Sequence, residues 1–378
     1  MELILKQYDI PLLRFSATND SSTPEIEVHW INEDQRHLLP LDMELSPEGI
    51  SRWMRRRTIP RNRAYVNRLL AKCGLNANRP MGILALCKGL SVDDSYWVVE
   101  EGFEGTFEKY NLFENRFSEV LALIAFTGYG SSNRSSLASS PEFTTNGMLP
   151  KCWRRISGKV TLYKGGTDGG YNTGAEPYCE YYAAQVAAAM GIDAIPYGLS
   201  QWKGRLCSTC ELFTDIDHAY MPIGNLVQRG GFDAVAAYYE KLGEPFQKAF
   251  RDMLAFDAVI CNTDRHYGNF GFMIDNKTNT IAAPAPLFDH GNSLFNQAGP
   301  EDYESPEAFQ QYIDTLVPCV YDDFFATAKR FMTDENREQL RKLLGFRFKR
   351  HVRYNLPSKR LKLMEEQVRK RAMRLLEN

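Results

Sequence analysis

Between Asn262 and Asn269 the chain reads Asn-Thr-Asp-Arg-His-Tyr-Gly-Asn, and Phe288-Asp289-His290-Gly291 follows about twenty residues later. These two pieces offer Asp264, Asn269 and Asp289, in that order. Such a set suits phosphoryl transfer, in which a hard cation neutralises charge on the phosphate oxygens and a carboxylate meets the attacking hydroxyl. One aspartate can act as base, while an amide oxygen and a second carboxylate suit Mg²⁺. Taken singly, each residue has a plainer reading. Asp264 and Asn269 are common turn residues, and Asp289 is a common helix cap.

The elements around the trio favour the chemical reading. Phe246, Phe250, Met253, Leu254, Phe256, Val259 and Ile260 have the spacing of a buried helix leading into the first piece. Phe270 to Ile274 reads as a strand, Asn276 to Asn279 as a turn and Ile281 to Leu287 as a second strand ending at Phe288-Asp289. Helix, loop, strand, turn and strand would thus carry a base and two cation ligands on one frame.

Asp-Arg-His-x-x-Asn followed by Phe-Asp-His-Gly resembles the catalytic loop and metal-binding motif of the HipA-type serine/threonine kinases, whose fold is remotely related to the phosphoinositide 3- and 4-kinases. The order differs from ordinary protein kinases, since Arg265 and His266 follow the aspartate. The resemblance covers about residues 143 to 330 and implies an α+β, two-lobed kinase fold, with a small β-rich lobe and a larger helical lobe. It implies ATP and Mg²⁺ as cofactors and a protein Ser or Thr hydroxyl as acceptor. In this reading Asp264 is the base, His266 steadies its loop, and Asn269 and Asp289 hold the metal.

A kinase also needs a strand lysine on the phosphates and a helix glutamate to orient it. Lys164 closes the strand-like run Lys159–Lys164, and Glu180 lies on a helix starting near Glu176-Pro177. Glu180-Tyr181-Tyr182 is similar to the family's helix motif, which makes Glu180 the expected partner of Lys164. No G-x-x-x-x-G-K-[ST] occurs, which excludes a Walker-type loop. Gly147 to Lys151 is similar to the family's Gly-x-x-x-Lys phosphate loop, with Leu149-Pro150 where Gln-Glu is usual; Pro150 lacks an N–H. The family's autophosphorylated serine matches Thr144, with Thr145 beside it. Residues 195–200 and 205–213 look like a hairpin, and the resemblance places the adenine-binding hinge at Glu211 to Phe213. The glycine-rich stretch Gly165–Gly174 reads as a mobile connection.

The 378 residues suggest two domains or one two-lobed domain, and 44% hydrophobic with 24% charged residues reads as soluble and globular. A net charge of −2 gives no global bias toward nucleic acid or membrane. No apolar run approaches the roughly 20 residues that span a bilayer. The start, Met1 to Lys6, lacks a signal-peptide layout, so a cytoplasmic location is expected. Cys207 and Cys210 form the one CxxC among eight cysteines, without a second ligand pair for zinc; reduced thiols are expected.

Residues 1–135 read as a mixed, mainly helical extension, with a strand at Glu25–Ile31 and a capped helix from Ser46-Pro47. Between Arg52 and Lys72 lie eight basic residues and no acidic ones. They suit either contact with nucleic acid or an acidic partner, or a helical pair whose basic face meets acidic residues elsewhere in the chain. Leu90 to Val98 would end a small helical subdomain, loosely like a helix-turn-helix. Serine- and glycine-rich residues 128–147 suggest a linker, giving an N-lobe over 136–215 and a helical C-lobe over 216–378 that ends in a basic, solvated amphipathic helix. Two other functions fit the same residues: a lipid or small-molecule kinase of this fold, and a non-catalytic nucleotide-binding regulator contacting nucleic acid.

Overall fold

The computed structural model describes residues 1–18, 24–130, 140–169 and 172–377. The chain divides into two compact units. The first comprises Met1–Lys164, Glu211–Met221 and Met273–Ala282, and the second comprises Gly165–Cys210, Pro222–Phe272 and Ala283–Asn378. The boundary expected at 135/136 falls outside the described residues, as does the centre of the expected glycine-rich connection.

In the first unit, four antiparallel strands form a sheet of order β3-β2-β1-β4: β1 (Glu2–Gln7), β2 (Ile10–Ala17), β3 (Ile26–Ile31) and β4 (Tyr96–Glu100). This segment is therefore less helical than its sequence suggests. The expected helical reading of Leu90–Val98 is corrected as well, because Tyr96–Val98 lie in β4. The reason is burial on both faces. Tyr96 and Val98 join a core with Leu3, Leu5, Trp53 and Leu84, while Trp97 and Val99 join another with Phe107, Trp153 and Val160. A strand buried on two sides reads as a continuous apolar run and loses the alternation that would betray it.

Ser46 caps the helix Pro47–Arg56 by accepting from the Gly49 N–H at 3.1 Å, as expected. The arginines that follow are engaged within this unit. Arg56 meets Asp42 at 2.8 Å, and Arg57 binds Asp94 in a two-pronged pair at 2.7 and 2.8 Å while stacking over Trp53. Arg63 is fully buried with Glu142. The internal-pairing alternative thus describes Arg56, Arg57 and Arg63.

Arg63 matters for what comes next. It donates to the Glu142, Thr145 and Lys151 carbonyls and to the Glu142 carboxylate, so one guanidinium holds both ends of the 142–151 loop. Beyond the loop, β5 (Lys151–Ile156) and β6 (Lys159–Gly165) form an antiparallel hairpin.

In the second unit, β7 (Gly198–Trp202) and β8 (Arg205–Glu211) form the expected hairpin. The apolar helix Phe246–Ile260 is its centre, with Met253 to Ile260 buried without interruption. Helices Glu176–Met190, Phe324–Phe331, Asp334–Arg341 and Ser358–Leu376 pack around it. The last of these is docked rather than solvated: Leu361, Met364, Val368, Ala372 and Leu375 are fully buried at helical spacing. The chain returns to the first unit through β9 (His218–Pro222), most of β10 (Gly271–Asp275) and most of β11 (Thr280–Pro284). The turn between β10 and β11 is gripped there. Gln7 donates to the Asn276 carbonyl at 2.7 Å, and Asn279 donates to the His37 and Leu39 carbonyls.

Two outcomes follow for stability. Arg63→Met leaves Glu142 buried without its ion-pair partner and costs about 3–5 kcal/mol in urea unfolding, whereas adding Glu142→Gln recovers part of the loss. Burial first, and the charge of Asp94 second, push the Asp93 carboxyl up to about 6. The folded chain then holds this proton more tightly than the unfolded one, so the contribution is full below about pH 4 and is lost as pH rises through 6. Asp93→Asn should raise the unfolding midpoint at pH 8 and leave it nearly unchanged at pH 4.

Candidate active site

The helix Phe246–Ile260 stops at Cys261, whose left-handed backbone (φ 52°) turns the chain and returns its N–H to the Asp257 carbonyl. Asn262 repeats the anchor. Its N–H donates to the Asp257 carbonyl, its amide donates to the Asp257 carboxylate, and its own oxygen receives the Asp264 N–H at 3.1 Å. The polar loop is thereby sewn to the end of an apolar helix.

Arg265 completes the frame. Its side chain is 1% exposed and grips both Asp257 oxygens, at 2.9 and 3.0 Å. The same guanidinium donates to the Asn269 carbonyl at 3.2 Å and the Phe288 carbonyl at 2.6 Å. A further N–H meets His290 Nδ1 at 3.1 Å, so that nitrogen accepts. Burial acts against the Arg265 charge, but the Asp257 carboxylate outweighs it and raises the guanidinium pKa. One buried cation therefore joins the helix end, the loop around Asp264 and the strand end around Asp289.

The Asp264 carboxylate accepts from the Asn292 amide at 2.8 Å, and Asn296 donates to Asn292 at 2.9 Å. Asn269 turns its amide nitrogen toward the Asp264 carbonyl at 3.4 Å, which leaves its oxygen for another partner. Asp289 is held in a left-handed conformation (φ 57°), and its N–H donates to the hydroxyl of the partly buried Tyr197 at 3.1 Å. A main-chain bridge between Ala194 and Leu287 fixes the strand end beside Tyr197. Glu180 is fully buried and accepts the His290 N–H at 2.7 Å. His266 is exposed, and its ring nitrogen accepts the Gly268 N–H at 3.0 Å, a local brace for the loop.

In the first unit, Lys151 and Lys164 sit directly opposite each other across the β5–β6 hairpin, and both are buried. Two like charges on one face of a hairpin repel. Lys151 curls back onto the Asn146 carbonyl at 2.8 Å, inside the loop that Gly147 opens. Gly147 has φ 91°, and a Cβ there would lie 2.1 Å from the lysine nitrogen. Thr144 is buried, with its hydroxyl on the Leu90 carbonyl; the Thr145 hydroxyl donates to the Pro141 carbonyl at 2.7 Å and accepts from Trp153. At Glu211–Phe213 the side chain of Glu211 is exposed and paired with Lys159, and the Leu212 N–H is taken by the Val160 carbonyl at 2.9 Å.

The structure brings Asp264, His266, Asn269, Asp289 and Glu180 onto one frame within the second unit, while Gly147, Lys151, Lys164, Glu211, Phe213, Thr144 and Thr145 belong to the first. Sequence reasoning missed Asp257, Tyr197, Asn292 and Asn296. Asp257 carried a usable signal, a lone acid inside the run Leu254 to Ile260, since a buried carboxylate demands a partner. The two asparagines carried none.

No protein-family model matches the chain. Over 135 residues it is 26% identical to the serine/threonine-protein kinase CtkA of Helicobacter pylori, a match covering 32% of this chain and 41% of that protein. The chain thus spans about two-fifths of that relative's length. The crystal structure of CtkA matches at 14% identity and a TM-score of 0.48, over 61% of this chain and 90% of that one. HipA of Shewanella oneidensis, solved with HipB and operator DNA, matches at 13% identity and a TM-score of 0.53, over 99% of this chain and 97% of that one. The likeness of fold thus extends beyond residues 143 to 330, where the sequence resemblance lies.

Arg265→Lys keeps the charge but cannot span the five acceptor atoms, and should cost at least about 2 kcal/mol in chemical denaturation. With Arg265 tying the loop to the strand end and the fold match running through both units, the chain resembles the HipA-type kinases and has their α+β fold along nearly its whole length.

Proposed function

We propose that this protein is an ATP- and Mg²⁺-dependent kinase that phosphorylates a serine or threonine hydroxyl of a protein. The observation that carries the reading is the Arg265 clasp, which holds Asp264, Asn269 and Asp289 on one rigid frame. Phosphoryl transfer asks mainly for positioning and charge stabilisation, and a rigid frame supplies the first.

Asp264 is the group that receives or orients the acceptor hydroxyl. Asn292 holds one of its oxygens and thereby aims the other. Asn269, through its amide oxygen, and Asp289, through its carboxylate, are the metal ligands. Among the described residues no three His, Cys, Asp or Glu side chains converge as a metal cage. That donor set fits Mg²⁺, which takes one or two protein oxygens and fills its other positions with phosphate oxygens and water. When bound, the ion neutralises charge on the phosphates. Lys151 and Lys164 face each other across the hairpin, which places two cations where the resemblance puts the phosphates. Glu180 as the partner of Lys164 rests on the resemblance alone; its observed task is to hold the His290 N–H. The Leu212 N–H is already taken by the Val160 carbonyl, so the hinge role of Glu211 to Phe213 rests on the resemblance.

The test is intact-mass spectrometry after incubation with ATP and Mg²⁺, beside Asp264→Asn and Asp289→Asn. Phosphate gained by the parent and by neither variant is the expected result, with peptide mapping deciding between Thr144 and Thr145. Absence of ATP binding by calorimetry would sink the reading. Asn292→Ala should lower kcat by about 10²-fold, as loss of orientation does, with KM for ATP little changed.

A further inference from the structure

The C-terminal helix holds a cation that the kinase reading does not use. Arg371 is 6% exposed. Its Nε donates to the Ala258 carbonyl at 2.6 Å, while its buried Nη2 has no hydrogen-bond partner. Among the described residues no carboxylate pairs with it within 4.0 Å, and Asp323 acts on its charge only from farther away. What does contact it is aromatic: the guanidinium lies 4.6 Å from the Phe325 ring and 5.4 Å from that of Phe324. A buried, unpaired guanidinium is costly, and burial lowers its pKa.

This arginine lines a cavity of about 220 Å³ within the second unit. Lys370 and Arg374 share the lining and are exposed, and the Arg374 guanidinium also lies over the Phe325 ring, at 3.9 Å. Three cations thus meet at one opening. The lining carboxylates are already engaged: Asp314 accepts from Gln310 at 2.8 Å, and Asp323 caps the next helix through the Ala326 N–H at 2.6 Å. Lys370 has a surface partner, Glu366, at 2.7 Å. None of the residues lining this cavity belongs to the catalytic loop or the Asp289 segment.

We infer that this cavity is a binding site for a small phosphate-bearing anion, held by Arg371, Arg374 and Lys370. A guanidinium fork matches the oxygens of a phosphate, and a phosphate dianion offers enough acceptors for three cationic side chains. The volume is several times the ~30 Å³ share of a water molecule in the liquid, so a phosphomonoester with a short polar stem fits as well as inorganic phosphate. Gln310 and Gln367, joined at 3.2 Å, supply neutral groups for such a stem. The site also has a line to the chemistry. Ala258, which receives Arg371, is the neighbour of Asp257, the anchor of Arg265.

The test is titration calorimetry of the full chain with inorganic phosphate and with glycerol 3-phosphate, at fixed ionic strength, with chloride as the control anion. Saturable phosphate binding is expected in the parent and also in Asp289→Asn, which separates it from the metal position, and its weakening in the Lys370/Arg374 double variant separates it from the hairpin lysines. Lys370→Gln/Arg374→Gln alters exposed positions and should keep the parent's melting temperature while weakening phosphate at least tenfold. Tighter binding of the monoester than of phosphate identifies an organic phosphate as the ligand; equal binding identifies the free ion. No saturable heat, heat equalled by chloride, unchanged affinity in the double variant, or loss of binding in Asp289→Asn would each overturn the proposal.

Discussion

The second unit depends on the pair Asp257–Arg265, which has almost no access to water. Two charges taken from water are stable only where every remaining donor finds an acceptor. Arg265 meets that condition by reaching the Asn269 and Phe288 carbonyls, so the loop and the strand end are fixed as a consequence of satisfying one cation. The pair contributes little net stability by this logic. Its effect is to make misplacement expensive, since displacing either segment strands a buried charge. Asp264, Asn269 and Asp289 inherit their positions from that constraint.

A parallel device operates in the first unit. Arg63, on the short stretch between two helices, closes the 142–151 loop from both ends. Lys151 at the end of this loop folds back under Gly147, and its cross-strand neighbour is Lys164. Arg63 thus supports the loop from inside, while Arg56 and Arg57 pair with Asp42 and Asp94. The β10–β11 turn, gripped by Gln7 and Asn279, shows how residues 240 or more apart share a unit.

Much of the site was legible because its chemistry is local. Asp264 and Asn269 lie on one loop, and the helix Phe246–Ile260 announces itself by apolar periodicity. The helix at Glu176 and the hairpin at Lys159–Gly165 were readable on the same grounds. The β-rich start of the chain was less so. β4 is buried on both faces and its partner β1 is about ninety residues away, so neither alternation nor proximity marks it.

By itself the sequence determined which residue types could do phosphoryl chemistry, their order and the local elements that carry them, because short-range spacing and periodicity are properties of adjacent residues. Only the tertiary structure decided which partners those residues have. Asn292 on Asp264, Tyr197 beside Asp289, Glu180 on the His290 N–H and Arg371 on the Ala258 carbonyl are all long-range facts. They arise because buried polar groups must be satisfied by whatever packing brings near, and packing is not written in any one stretch of chain.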